Sequence, residues 1–215
     1  MSTELSNIWH VFQIDESSIL ELRAIYPNGN ARTEIFYARK HQSLLGLQVA
    51  FQHSAERHNN RDANCYMVLN PIKPDFMGSS AKDKDIAART LLLIDIDRVG
   101  TKENPASDSE LKQAEDLADA VMAYLDEKGW RTPRKVMSGN GYHLYYKLDR
   151  LEPDDESRTL IRTLLNLLAD RFDNANVQID RSVFNASRIT KVIGTIVRKG
   201  DELPDRPYRM ARLIQ

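Results

Sequence analysis

Two aspartates, Asp95 and Asp97, close the apolar run Leu91, Leu92, Leu93, Ile94 and Ile96 in the segment LLLIDIDRVG. Side chains alternate along a strand, so both carboxylates point to one face while Ile94 and Ile96 point to the other. With about 6.5 to 7 Å between their Cα atoms, both can lean toward a single point, where two unneutralised charges in a partly desolvated place repel. One divalent cation, or two, resolves that conflict, and aspartate oxygens suit hard ions such as magnesium or manganese. Without an ion, the same residues simply end a strand, cap a loop or pair with Arg98.

A third acid, Asp180, ends the short strand-like segment NVQID. Two aspartates on one strand and a third on another are what two-metal phosphoryl transfer requires, with ions roughly 4 Å apart. Taken alone, Asp180 is equally a turn residue or a partner of Arg181. Ser138, Gly139, Asn140, Gly141, Tyr142 and His143 form a glycine-permitted turn between two strands, with His143 on the returning one. Backbone amides in such a turn can cup an anion, and the Ser138 hydroxyl and His143 imidazole can donate to phosphate oxygens. Beyond Asp180, basic residues outnumber acids, from Arg181 and Arg188 through Lys191 to Arg212. That stretch can dock a polyanion or a triphosphate, or can be ordinary solvated surface.

The whole sequence bounds these readings. It has 215 residues, 41% hydrophobic and 28% charged, with a net charge of −1, enough for one large domain or two small lobes. Its apolar runs fall far short of the roughly 18 residues of a membrane span, and its start lacks the features of a signal peptide, so a cytoplasmic protein without membrane contact is expected. Cys65 is the only cysteine, which excludes an internal disulfide and a cysteine-based zinc finger. His53 and His58 fit no common zinc spacing and read as structural or surface residues.

The elements that must position the acids follow from periodicity and turn chemistry. Residues 18–37 predict a hairpin around Pro27, Asn28, Gly29 and Asn30, then a helix within 41–58 and a strand from Asn64 ending at Asn70 and Pro71. After the strand at 91–97, a helix is predicted over 108–128, with Ser107 and Glu110 as a capping box and Gly129 as its stop. Two short strands flank the Gly-Asn-Gly turn. A helix capped by Asp154 or Asp155 runs to Phe172 with Leu160, Leu164, Leu167 and Leu168 inward, and NVQID and ITKVIGTIV supply the last strands. The central order strand, helix, strand, strand, helix, strand predicts an α+β fold, a ferredoxin-like antiparallel sheet with helices on one face. The β-rich start forms a smaller lobe, with a groove between the two for the site.

Together, the strand ending in Asp95 and Asp97, the Ser138 to His143 turn and the strand ending in Asp180 resemble the archaeo-eukaryotic primase superfamily. The likeness is to the primase-polymerase domains of plasmids, phages and related mobile elements. The flanks YMVLNPIKP and FNASRITKVIGTIVRKGD agree, so the resemblance covers roughly residues 64–212. It implies a single primase-polymerase catalytic domain over 1–215, with an RRM-like catalytic lobe at about 81–215 beside an N-terminal αβ lobe at about 1–80. It further implies that Asp95, Asp97 and Asp180 hold the catalytic metals, and that Ser138 and His143 contact the incoming triphosphate. Arg188, Lys191 and Lys199 would neutralise the remaining phosphate charge. Lys191 stands where many relatives have arginine, and an ammonium lacks the bidentate fork.

The implied activity is template-dependent nucleotidyl transfer, a primer or first-nucleotide hydroxyl attacking the α-phosphate of an NTP or dNTP with release of pyrophosphate. Single-stranded DNA template and primer would be the partners, with Tyr142, Tyr145 or Tyr146 available for base stacking or else buried in the core. A helicase or accessory priming domain is the further partner such relatives often carry. Two rival classes share the acids: a metal-dependent nuclease, which has no need of the Ser-x-His turn, and a non-catalytic nucleic-acid-binding replication module, which has no need of three acids.

Overall fold

The computed structural model describes residues 8–100 and 103–214. A short helix α1 (Ile8–Val11) leads to the hairpin β1 (Ile19–Ile25) and β2 (Ala31–Tyr37). Its turn is closed by Tyr26 N–H to Asn30 O at 2.9 Å, with Gly29 at φ +82°. Helix α2 (Leu44–Asn59) starts on a Ser43 cap and buries Leu47, Phe51 and Ala55, and β3 (Asn64–Val68) follows. The central elements are β4 (Arg89–Arg98), α3 (Asp108–Glu127), β5 (Arg134–Met137), β6 (Tyr142–Leu151), α4 (Asp155–Phe172) and β7 (Val177–Ile179). Four short strands finish the chain: β8 (Ile189–Lys191), β9 (Ile196–Val197), β10 (Arg209–Met210) and β11 (Arg212–Leu213).

Two antiparallel sheets result. One has five strands in the order β11-β5-β6-β4-β7, so β4 lies between β6 and β7. The other has four, β2-β1-β3-β8, and draws its last strand from residues 189–191, well beyond the central elements. Helices α3 and α4 cover one face of the five-stranded sheet, where Leu92, Ile94 and Ile96 join Leu117, Val121, Leu165 and Leu168 in the main core. On the opposite face Leu91, Leu93 and Tyr145 are buried. Phe12 packs edge-on against Tyr145 there, and β8 of the second sheet touches it through Thr190. Leu91 to Ile94 are therefore buried on both faces, as an uninterrupted apolar run requires. The strand slips register between Arg89 and Leu91, and Asn70 compensates by accepting from the Thr90 and Leu91 N–H groups at 3.0 and 3.2 Å.

The capping box of α3 forms as expected, with Ser107 Oγ accepting from Glu110 N–H and the Glu110 carboxylate accepting from Ser107 N–H. The inward face of α4 differs from the expected one. Ser157, Ile161, Leu165, Leu168 and Ala169 are buried, whereas Leu160 and Leu167 are 57% and 63% exposed. Two leucine-rich faces compete on this helix, and polar anchoring decides between them: Asp154 caps Ser157 N–H, and Ser157 Oγ accepts from the buried Arg89 at 2.9 Å. β6 is also longer than the short strand expected, reaching Leu151.

Arg98, at the helix-facing end of β4, joins that strand to α3 and to the C-terminal segment. It donates to Glu110 at 2.7 Å and to Pro105 O at 3.0 Å, and Arg206 reaches the same carboxylate at 2.6 Å. Burial pushes the Glu110 carboxyl up, but the hydrogen bonds from Arg206, Ser107 N–H and Arg98 outweigh it and hold the group at about 2 against an ordinary 4.5. A depressed carboxylate contributes stability that is complete above pH 4.5 and is lost as pH falls toward 2. Thermal melts should therefore show wild type losing stability between pH 4.5 and 2. Glu110→Gln should begin with a lower Tm at neutral pH and fall less across that window.

Candidate functional site

The pleat and register of β4 place the acids. Asp95 and Asp97 share the face that bears Leu91 and Leu93, away from the helices. β7 pairs Ile96 with Ile179 and Asp97 with Gln178. One step further along that antiparallel register, Asp180 N–H donates to Asp95 O at 2.8 Å. Asp180 thus lies across from Asp95 on the same face, just past the end of β7. On the other side of β4, His143 is paired with Asp95 through the β4–β6 register. Asp180, Asp95 and His143 therefore form one row across three strands, with Asp97 next to it.

The side chains show what each acid now does. Asp95 lies 3.4 Å from His143 Nε2, with its side chain 24% exposed. Asp97 Oδ1 accepts from Arg98 N–H at 3.0 Å, while the Arg98 guanidinium is engaged on the helix side by Glu110. Asp180 accepts from Ser182 N–H at 2.8 Å and faces Arg188 at 3.4 Å. Arg181 turns away to Asp170 and Asp173. Among the described residues, no three acidic, imidazole or thiol side chains gather closely enough to hold one ion together. The donor chemistry of the row is all oxygen and imidazole, which suits a hard divalent ion.

His143 is held from behind. It is buried, with Nδ1 2.9 Å from the Tyr145 hydroxyl and 3.2 Å from Thr190 Oγ1, and those two oxygens are 2.5 Å apart. A carboxylate only accepts, so a proton shared with Asp95 sits on Nε2, and in the neutral ring Nδ1 then accepts from a hydroxyl. Burial pushes the Tyr145 phenol up, so that hydroxyl stays protonated. Thr190 belongs to the four-stranded sheet, so the imidazole is fixed where the two sheets meet.

The turn before His143 closes through Ser138 N–H to Gly141 O at 2.9 Å, and Asn140 ties it to the start of α3 by accepting from Ala106 N–H at 2.8 Å. Gly139 has φ +101°, and a Cβ there would sit 2.6 Å from Val197. At Gly141 a Cβ would lie 2.1 Å from the Ile96 carbonyl oxygen, between the two aspartates in sequence. Ser138 itself is buried in this turn.

Lys191 pairs with Tyr66 across β3 and β8, its Nζ 2.6 Å from the Tyr66 hydroxyl and 4.1 Å from the ring centroid. Burial pushes its ammonium down to about 8, opposed by the negative charge of Asp95 and, more weakly, of Asp97. Burial, then the charge of Asp95, pushes the Tyr66 phenol up to about 12. Arg188 is the cation nearest Asp180 among those predicted for phosphate. Lys199 lies between Val197, which packs on Gly139, and Gly200, which abuts the Glu103 carbonyl.

Several open alternatives resolve. Tyr142, Tyr145 and Tyr146 are all buried, so none is a free stacking platform; Tyr146 packs edge-on against Trp130, and Tyr142 lies under Lys135. Much of the C-terminal basic stretch is consumed internally, Arg198 by Asp62, Arg206 by Glu110 and Arg209 by Asp108. His58 is structural, between Tyr26 and Glu34 at 2.6 Å each. Cys65 is buried, its thiol pushed up to about 12 by burial. Sequence reasoning missed Tyr66 and Thr190, whose only signal is cross-strand register.

No family model and no curated protein matches the chain. Its fold is similar to the polymerase domain of Mycobacterium tuberculosis ligase D, solved in complex with DNA, at a TM-score of 0.54 and 16% identity, covering 95% of this chain and 78% of that one. No helix among the described residues is long and apolar enough to cross a membrane.

Gly141→Ala tests the turn directly. The methyl group would meet backbone rather than a side chain that can move away. Overpacking of this kind costs about 1–3 kcal/mol, or roughly 2–4 °C in Tm per kcal/mol for a protein of this size. Melts should show that loss, with a smaller one for Gly29→Ala, where the added Cβ meets nothing within 4 Å and only the positive φ is strained.

Proposed function

We propose that the protein is a template-dependent nucleotidyltransferase of the primase-polymerase type, extending a strand on single-stranded DNA from nucleoside triphosphates. The observation that carries this reading is the register that sets Asp180 across from Asp95, on the face that also carries Asp97 and His143. The likeness of the fold to a polymerase domain solved with DNA supports it. The five-stranded sheet with its two helices is the RRM-like catalytic lobe in this reading. Residues up to about 80 form most of the second lobe, which β8 completes.

Asp95, Asp97 and Asp180 would hold divalent magnesium or manganese, for which Asp180 must exchange its contact with Arg188. Such ions supply charge neutralisation at the triphosphate and a lowered pKa at the attacking hydroxyl. The remaining work falls to this chain's own groups. His143 donates from Nε2 to a phosphate oxygen, kept in that tautomer by Tyr145 and Thr190. Ser138 and the turn amides bind the same triphosphate, and Arg188, Lys191 and Lys199 take up its charge. Little covalent chemistry is asked of the protein, so positioning and electrostatics carry the rate.

Primer extension on a labelled primer-template with NTPs or dNTPs, in magnesium and in manganese, tests the reading. Asp95→Asn and Asp97→Asn should each reduce extension at least about 100-fold, the loss typical of removing a transition-state electrostatic contact, while leaving the thermal melt intact. His143→Ala should raise the nucleotide KM more than it weakens DNA binding. Shortening of the primer without extension would assign the acids to a nuclease instead, and extension retained in both aspartate variants would remove them from the chemistry.

A further inference from the structure

A cavity of about 790 Å3 lies at the other end of the sheet face that carries the aspartates. Its wall includes Trp9 and Phe12 from the N-terminal segment, Tyr145, and three exposed cations, Arg131, Arg134 and Lys147. The register places them. Arg134 pairs with Tyr145, which pairs with Leu93, one pleat repeat from the His143–Asp95 row, and Lys147 pairs with Leu91 one repeat beyond. Arg134 and Lys147 therefore project from the same face as Asp95. Lys135, between them and the turn, projects to the helix side and pairs with Asp119.

The cations at this cavity outnumber its one acid and, unlike those of the C-terminal stretch, are held in no ion pair among the described residues. Among the described residues, no carboxylate ion-pairs with Arg131, Arg134 or Lys147. Asp15, the acid in the wall, accepts hydrogen bonds from Ser17 and Ser18. Three cations beside an apolar wall whose half-buried aromatic is Trp9 suit a phosphate joined to a flat ring system. Tyr145 is shared: it belongs to the cavity wall, and its hydroxyl holds His143. From Leu91 to Asp95 the strand covers about 13 Å, or about four stacked nucleotides at 3.4 Å each.

We infer that this cavity binds a nucleotide unit of single-stranded DNA, gripping the strand about four nucleotides from the aspartate row. The inference rests on the function proposed above and assigns Arg131, Arg134 and Lys147 to the strand's phosphates. The cations are exposed, so their replacement leaves the fold intact.

Fluorescence anisotropy with a labelled (dT)12 oligonucleotide across a salt series provides the test, with melts as a folding control. The double variant Arg134→Ala/Lys147→Ala should bind about tenfold more weakly, and the slope of log K against log salt should shrink by about 1.4, two contacts at about 0.7 each. In extension assays its template KM should rise while kcat and nucleotide KM stay within about twofold. Lys112→Ala/Lys128→Ala, which removes equal charge from α3 and its C-terminal end, should change binding by less than about twofold. Wild-type affinity and salt slope in the cavity variant, or an equal loss in the α3 control, overturns the inference, as does a wild type that binds no oligonucleotide. A cavity built for a free nucleotide would show dTTP binding, in an Asp95→Asn background, that the cavity variant loses while keeping the oligonucleotide; that result overturns the strand assignment. Oligonucleotide binding through the cavity without primer extension would refute the proposed function and leave this inference standing.

Discussion

The candidate site depends on the pleat of β4. A strand at the middle of a sheet must satisfy two faces at once, and β4 divides them sharply. Its even-numbered residues, from Leu92 to Ile96, pack under α3 and α4, and Arg98 ends that face in an ion pair with Glu110. The odd-numbered face is apolar at Leu91 and Leu93 and carboxylic at Asp95 and Asp97. A one-residue slip would exchange the faces, burying both carboxylates under the helices and exposing the isoleucines. The cost of that exchange pins the register, and the register in turn sets Asp180 and His143 beside Asp95.

Around that strand the protein spends polar contacts on rigidity. Thr190 reaches from one sheet to the Tyr145 and His143 of the other. Asn70 mends the irregular start of β4, and Asn140 fastens the glycine turn to α3. The turn approaches so closely that Gly141 leaves no room for a side chain beside the Ile96 carbonyl. Held in this way, the His143 ring has a fixed position, set by contacts from both sheets.

Charge is distributed with equal selectivity. The basic C-terminal stretch looks in sequence like a polyanion surface, yet Arg198, Arg206 and Arg209 are each spent on an acid elsewhere in the chain. Arg188 and Lys191 stand at the acids, and Lys191 is buried enough to hold its proton less tightly than a surface lysine. Arg131, Arg134 and Lys147, which form no ion pair among the described residues, lie instead on β5, β6 and the loop before β5.

Local sequence determined a good deal. The hairpin turn at Gly29, the Ser107–Glu110 capping box, the Asp154 cap and the two-faced β4 segment were legible because each depends on residues a few positions apart. The three aspartates were legible as candidates because a hydrophobic run ending in an acid is a local pattern. Which leucines of α4 face inward was not, since Leu160, Leu164 and Leu167 have the same helical spacing as Ile161, Leu165 and Leu168, and a hydrogen bond from distant Arg89 decides between them. Nor could the three tyrosines be sorted into stacking surface or core, because alternation along β6 says which faces differ without saying what covers them. Tertiary structure alone brought Asp180 to Asp95, Thr190 to His143 and Tyr66 to Lys191, for cross-strand neighbours are set by sheet order, and sheet order is fixed by the packing of the whole chain.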